Sequence, residues 1–289
     1  MTTKFRRSSL CPVLVLVAMG WHGHVAASEF RTELEATLEH DGNPARSAPG
    51  EGVPSEFVQG LTLAMTRSEA VDQHGGWVWR TAVSTRLHSR YRQLNELAAE
   101  VGMTYRIQPE VGFSKPWYEV AWRLDRRVHD GSAIRDDTRL VVGLSTGANL
   151  TDRISVNGGL HVTRAVADRE HVFDQTERAL KLGATYRLAG AQLIYGKWTY
   201  ARGDRVFGSL EDYPPASWIK VSADDLALSA DQYAYRTDAR THEMEAGWSM
   251  PAGVQSFVDV AWRHSSSAAQ EGHTYKVNQM FLGWRWLVK

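Results

Sequence analysis

The sequence is most informative at first for what it lacks. It has one cysteine in 289 residues, Cys11, so the body of the chain holds no disulfide and no thiolate-bound metal. After the first thirty residues no run approaches the ~20 apolar residues that a spanning helix needs, which excludes a helical membrane protein. Charge of one sign is absent too: 33 Lys+Arg stand against 33 Asp+Glu, so bulk attraction to nucleic acid has no basis. The 11 histidines show no metal-ligand spacing on one strand face. Glycine-rich phosphate loops are missing, since Gly196-Lys197 falls inside a strand-like segment. No cofactor is implied. What is abundant is aromatic: 11 Trp, 10 Tyr and 8 Phe, usually set between polar neighbours.

Residues 1–27 read as a secretory signal peptide. Lys4, Arg6 and Arg7 precede the apolar run Leu10 to Gly20, and Val25-Ala26-Ala27 supplies the small-residue cleavage site. Cleavage after Ala27 takes Cys11 with it and leaves 30 Lys+Arg against 33 Asp+Glu, a net charge of −3. Cys11 has no lipobox-like spacing before that site, so lipidation is not expected.

From Ser28 to Lys289 the dominant pattern is period-two alternation, the mark of strands. Phe30, Thr32, Leu34, Ala36 and Leu38 alternate with Arg31, Glu33, Glu35, Thr37 and Glu39. Trp77, Trp79, Thr81, Val83 and Leu87 alternate with Arg80, Ser84, Arg86 and His88. Further segments of this kind run to Met280-Leu282-Trp284-Trp286, giving about twelve strands, each long enough for a tilted membrane strand. In the second half of the chain the connections alternate short and long, as in a barrel with short periplasmic turns. Arg67 to Gly76 is long for such a turn. The fold expected is therefore all-β: an antiparallel, up-and-down transmembrane β-barrel of about twelve strands in the outer membrane of a Gram-negative bacterium.

The alternation also decides which face meets what. In a bilayer every backbone polar group must pair within the protein, so a sheet survives only by closing on itself. The outward set must be uncharged, with aromatics at the interfaces, and Trp77, Trp79, Trp122, Trp198, Trp248, Trp284 and Trp286 fit it. A secreted β-sandwich with a Trp-rich core is the competing reading. Its strands would be five or six residues long, not about ten.

The last strand adds a resemblance. Gly283, Trp286 and Val288 resemble the glycine-x-x-hydrophobic-x-hydrophobic ending of bacterial outer-membrane barrels, which implies the insertion machinery as a partner. The chain departs from that pattern in ending on Lys289 and in having Phe281 where a polar residue is usual. In size and strand count it resembles the twelve-stranded narrow porins for acidic oligosaccharides, though no motif assigns it to one family.

The inward positions carry the functional expectation. Arg80, Arg86, Arg90, Arg106, Arg123 and Arg127 form a basic wall on the third to fifth strands, with Glu100 and Glu119 among them. Glu33, Glu35, Glu39, Glu243, Glu245 and Asp259 form an acidic set opposite. A field between the two would sort small polar or charged solutes passing through, with membrane lipid outside. The plainer alternative is a network of paired Arg and Glu that fills a narrow lumen and stabilises a non-conducting envelope barrel. The segment Gly203 to Thr237 is expected either to fold over the mouth or to remain a surface loop, with Ser222 a candidate helix N-cap. A lipid-modifying hydrolase would need a His–Ser pair; His264 with Ser265 to Ser267, or His161 with Ser155, offers one, without a visible third residue. The acidic pairs Asp136-Asp137 and Asp224-Asp225 read as solvated loop tips.

Overall fold

The computed structural model describes residues 28–47, 54–72, 74–110, 112–209, 219–225, 227, 232–269 and 273–288. Thirteen strands follow one another: β1 (Ser28–Asp41), β2 (Glu56–Ala70), β3 (Gly75–His88), β4 (Glu96–Ile107), β5 (Trp117–His129), β6 (Asp137–Asn149), β7 (Ile154–Ala167), β8 (Gln175–Arg187), β9 (Leu193–Ser209), β10 (Val221–Asp224), β11 (Tyr233–Pro251), β12 (Ser256–Ala269) and β13 (Thr274–Val288). Successive strands pair antiparallel except β9 with β10; β9 pairs instead with β11, and β13 pairs with β1. That closes a ring of twelve strands and leaves β10 as a short thirteenth on the upper part of β11. No edge remains in the ring, which satisfies the bilayer's demand on the backbone. The candidate signal peptide lies outside the described residues.

The two faces separate as the alternation requires. On β2, Phe57, Leu61, Leu63 and Met65 are about half exposed, while Glu56, Val58 and Ala64 are buried. All seven tryptophans assigned to the lipid side lie on outward positions, and Trp284 and Trp286 stack at 6.5 Å. A belt of exposed Leu, Val, Trp and Met encircles the barrel. Such a surface belongs in hydrocarbon, because a soluble monomer does not expose apolar area on that scale.

The connections fall into two sets. Residues 71–74, 108–116, 150–153, 188–192 and 252–255 join strands at the end where β1 begins and β13 finishes. The connections after β1, β3, β5, β7, β9 and β12 belong to the other end. By the general plan of these barrels the first end faces the periplasm and the second the exterior. The anomalous turn at Arg67 to Gly76 disappears, because β2 runs to Ala70 and β3 starts at Gly75. Likewise the two ends of the long segment Gly203 to Thr237 are hairpin: β9 and β11 stay paired from Gly203↔Ala239 up to Ser209↔Tyr233. Ser222 lies in β10 and pairs with Tyr235, so the helix start expected there is not formed. β-branched Val221 begins that segment, and a ladder partner was available to it.

Candidate functional site

The interior is built from the inward residues of the strands, and arginines there sit beside carboxylates. Arg80 donates to Glu100 at 2.9 Å. Arg123 donates to Asp125 at 3.1 Å and lies 3.8 Å from the same Glu100. The two arginines flank Gly102, whose missing side chain lets both approach. Arg86 reaches across β2, where Gly60 leaves room, to Glu39 at 2.9 Å. Arg106 pairs with Glu119, and Arg285 with Asp259 at 3.5 Å. On three adjacent strands, Lys197, Glu245 and Arg263 are in register, with Glu245 accepting from both cations at 2.7 Å. Glu243 lies 3.7 Å from Arg263. Glu33 and Glu35 form no ion pair among the described residues and point inward from β1.

The expected separation into a basic wall and an acidic wall is therefore replaced by pairing in place. A carboxylate one or two strands away is reached by an extended guanidinium before any field can build across the lumen. Arg90 differs from the rest: it lies beyond β3, exposed in the segment 89–95.

The opposite wall, β6 to β8, is lined with small residues. Gly143, Gly147, Gly159, Gly183, Ser145, Ala165 and Ala179 share inward positions there. Lys181 projects from this wall, exposed and without an ion pair among the described residues. Its neighbours across the ladder are Gly159 and Thr199, so nothing bulky covers it.

Loops converge over the exterior mouth. Ala45, Tyr91, Leu94 and Ala227, from three different connections, pack into one buried cluster. The Gly208 N–H donates to the Ala45 carbonyl at 3.0 Å, tying the β9–β11 hairpin to the β1–β2 connection. Arg135 binds Asp225 and lies over the Phe173 ring at 4.7 Å. Asp225 and Ala227, between β10 and β11, thus pack against the neighbouring connections at the mouth.

Beneath these loops is a chamber of about 220 Å³ lined by Arg46, Arg127, Arg135, Arg139 and Arg205, with Asp137 and Asp225 as its carboxylates. Asp137 is almost wholly buried and serves two arginines, binding Arg127 directly and lying 3.8 Å from Arg139. Arg46 donates to Asp41 at 2.9 Å, behind the chamber wall, and Arg205 pairs with Glu177. The Arg139 Nε is buried without a hydrogen-bond partner among the described residues. A buried donor left open costs about 1–3 kcal/mol, and an anion in the chamber would recover that cost. Of this constellation the sequence placed only Arg127 in the lumen, and Asp137 and Asp225, read there as solvated loop tips, are instead buried. The other four cations come from three connections or strand ends that no local pattern links.

With this geometry in hand, the chain can be set beside known proteins. No protein-family model and no curated protein matches it. Among solved structures, the COG4313 outer membrane channel from Pseudomonas putida F1 superposes with a TM-score of 0.58 at 8% identity, covering 89% of this chain and 95% of that one. The NanC porin gives 0.47 at 10% identity, covering 88% and 98%. The KdgM porin in complex with disordered oligogalacturonate gives 0.46 at 10% identity, again covering 88% and 98%. The barrel shares the fold of the COG4313 outer membrane channel.

The residues held for hydrolysis divide between the faces. Ser265 and Ser267 point inward, and Ser267 shares a hydrogen bond of 2.8 Å with Thr241. His264 and Ser266 face outward. The His264 Nδ1 bonds the Asn278 side-chain oxygen at 2.9 Å across the β12–β13 ladder, and the His264 ring stacks on Trp262 at 6.0 Å. Asn278 is the orienting residue invisible in the sequence, because its fourteen-residue separation from His264 acquires meaning only through the register. His161 and Ser155 both point into the lumen, and no hydrogen bond joins them. Asp136 and Asp137 diverge: Asp136 accepts from the His129 backbone at 2.7 Å, while Asp137 enters the chamber.

Proposed function

We propose that this barrel is an outer-membrane channel for small polar solutes, with a preference for anions set by the arginine-lined chamber under its loops. The carrying observation is that five guanidinium groups converge on that chamber, with the buried Arg139 Nε lacking a hydrogen-bond partner among the described residues. Asp41, Glu177 and Glu96 sit behind the wall at Arg46, Arg205 and Arg127, so the preference rests on guanidinium donors converging in a low-dielectric space rather than on net charge. The small-residue wall of β6 to β8, with Lys181 partway along it, supplies the route below. The paired residues Arg80, Arg86, Arg106, Arg123, Glu243, Glu245 and Asp259 hold the lumen's shape, and Glu33 and Glu35 line its far side. Reconstitution in planar bilayers under a salt gradient tests the reading. Steady single-channel steps and an anion-selective reversal potential are expected, moving toward cations in R139Q/R205Q. A barrel without steps, or an unmoved potential, overturns it.

A second reading rests on the outward His264–Asn278 pair. In a nucleophile–base–orienter arrangement the third group fixes the imidazole, and Asn278 does this for His264. Ser266 lies two residues along the same face, within about 7 Å by strand geometry, and both face lipid. The activity would be acyl-ester hydrolysis of a membrane lipid. Lipid turnover in mixed micelles that S266A abolishes, with conductance unchanged, supports it. Wild-type protein that turns over no lipid removes it.

A further inference from the structure

Four arginines on the outside of the barrel have no carboxylate. Arg164, Arg178, Arg202 and Arg240 occupy outward positions on β7, β8, β9 and β11, and all four are exposed. Arg178 is directly opposite Arg202, and Arg202 directly opposite Arg240, so three like charges stand abreast on adjacent strands. Arg164 lies on the fourth strand beside them, opposite Thr176. None of the four makes an ion pair or side-chain hydrogen bond among the described residues. Like charges placed directly opposite destabilise a sheet, so the row has a cost that the folded chain alone does not offset.

Two carboxylates stand one step further out and could have neutralised it. Asp204 and Asp238 face each other across β9 and β11, but both are engaged by Lys220, at 2.6 and 3.0 Å. Asp204 also accepts from the Thr176 backbone at 2.9 Å. Immediately inward of the row come Leu180, Tyr200 and Val162, then Leu160, Leu182, Trp198 and Met244, all on the lipid face. The arginines thus sit at the upper border of the apolar belt, beside an aromatic pair, at the depth of lipid headgroups on the long-loop side.

We infer that Arg178, Arg202 and Arg240, assisted by Arg164, bind the phosphates of an acylated lipid that carries at least two phosphate groups, in the leaflet on the long-loop side. Guanidinium groups match phosphate oxygens in a two-pronged geometry and persist as cations at every depth. Neighbouring strands are about 4.8 Å apart, so three arginines abreast extend over about 10 Å. One phosphate serves two adjacent guanidinium groups and not all three across that span, which calls for a lipid with at least two. The acyl chains then lie against the leucines and aromatics below.

Native mass spectrometry of the detergent-purified full-length barrel provides the test. The probes are a bisphosphorylated, acylated disaccharide lipid, its dephosphorylated form and phosphatidylglycerol. Wild type should retain the bisphosphorylated lipid at least tenfold more than either of the others. R178Q/R202Q/R240Q should lose about tenfold of that retention, and R178K/R202K/R240K should keep most of it. Should the glutamine variant fail to fold, K220Q still decides: freeing Asp204 and Asp238 to reach Arg202 and Arg240 should lower retention two- to threefold with the arginines intact. Equal retention of the phosphate-free lipid, undiminished binding by the glutamine variant or, where that variant does not fold, undiminished binding by K220Q overturns the inference. Neither result depends on whether the lumen conducts.

Discussion

Neutralising Asp137 should push stability and selectivity in opposite directions. Its carboxylate is 2% exposed and sits between Arg127 and Arg139. Asp137→Asn keeps the shape and an acceptor for the Arg127 Nε at 2.8 Å, but removes the charge. Breaking a fully buried pair costs about 3–5 kcal/mol. Here both arginines are about a quarter exposed and Arg127 keeps Glu96 at 3.7 Å, so the cost should fall to about 2 kcal/mol. The chamber meanwhile gains one unit of positive charge. At a separation of ~5 Å in water's dielectric that charge is worth about 0.8 kcal/mol to a monovalent anion, roughly fourfold in local concentration. Two measurements follow: the urea midpoint of the detergent-folded barrel, read as heat-modifiable mobility, and the reversal potential across a salt gradient. The midpoint should drop while the potential moves toward anions at ~0.1 M salt, and the second effect should shrink at ~1 M, where the screening length is about 3 Å. A variant that loses stability with an unmoved potential would show that the chamber does not lie on the solute's path, and the selectivity argument would fall.

Other outcomes follow from the same coordinates. Glu245→Gln leaves Lys197 and Arg263 facing each other across β11 and should cost about 2 kcal/mol in the same unfolding assay, with Lys197→Met in the same chain recovering part of it. Leu144→Arg, on the lipid face, should cost about 2–4 kcal/mol, whereas Ser145→Arg, one residue on and inward, should instead reduce conductance. Gly203 has φ +146° and a Cβ there would come within 2.1 Å of the Thr176 carbonyl, so Gly203→Ala should lower the folding yield and shift the β8–β9 register, seen as lost heat-modifiability. The hydrogen bond from Arg126 holds the Asp168 carboxyl below its ordinary value, so its stabilisation exists above the unfolded-state value near pH 4 and fades as pH falls through the lower folded one; the difference in unfolding midpoint between wild type and Asp168→Asn should therefore be present at pH 7 and vanish in strong acid.

The barrel was legible because its rule is local. Alternation along one strand identifies the lipid face, and Phe57, Leu61, Leu63 and Met65 needed no partner to be placed. What the strand pattern could not supply was which carboxylate an inward arginine reaches. Arg86 and Glu39 are brought together by the absence of a side chain at Gly60 on the strand between, a relation spread over three strands. The chamber was harder still. Arg46, Arg135 and Asp225 lie in connections, and their convergence depends on how far the β9–β11 hairpin extends and on Gly208 meeting Ala45. Loop composition gave Ser222 and Asp224-Asp225 the look of a helix start, but strand pairing with Tyr235 and Tyr233 prevailed. Asn278 shows the same limit, since a single asparagine on a lipid-facing strand carries no signal until the register puts it beside His264.

The two surfaces of this barrel treat arginine differently, and the contrast bears on what each surface meets. Inside, the arginines of β3, β4, β5, β12 and β13 each have a carboxylate within reach, and in the chamber Arg46, Arg135 and Arg205 are matched by Asp41, Asp225 and Glu177, so the lumen retains its shape with little net field. Outside, Arg126 is matched by Asp168 and Arg67 by Glu69, which shows that an exterior partner could be provided where one was needed. On β8, β9 and β11 the available carboxylates are drawn off by Lys220, and the arginines remain open. A sheet that pairs most of its arginines, inside and out, and leaves a row of four open on the lipid face near its outer rim keeps those four available to an anion from outside the chain, which is what the inferred lipid contact requires.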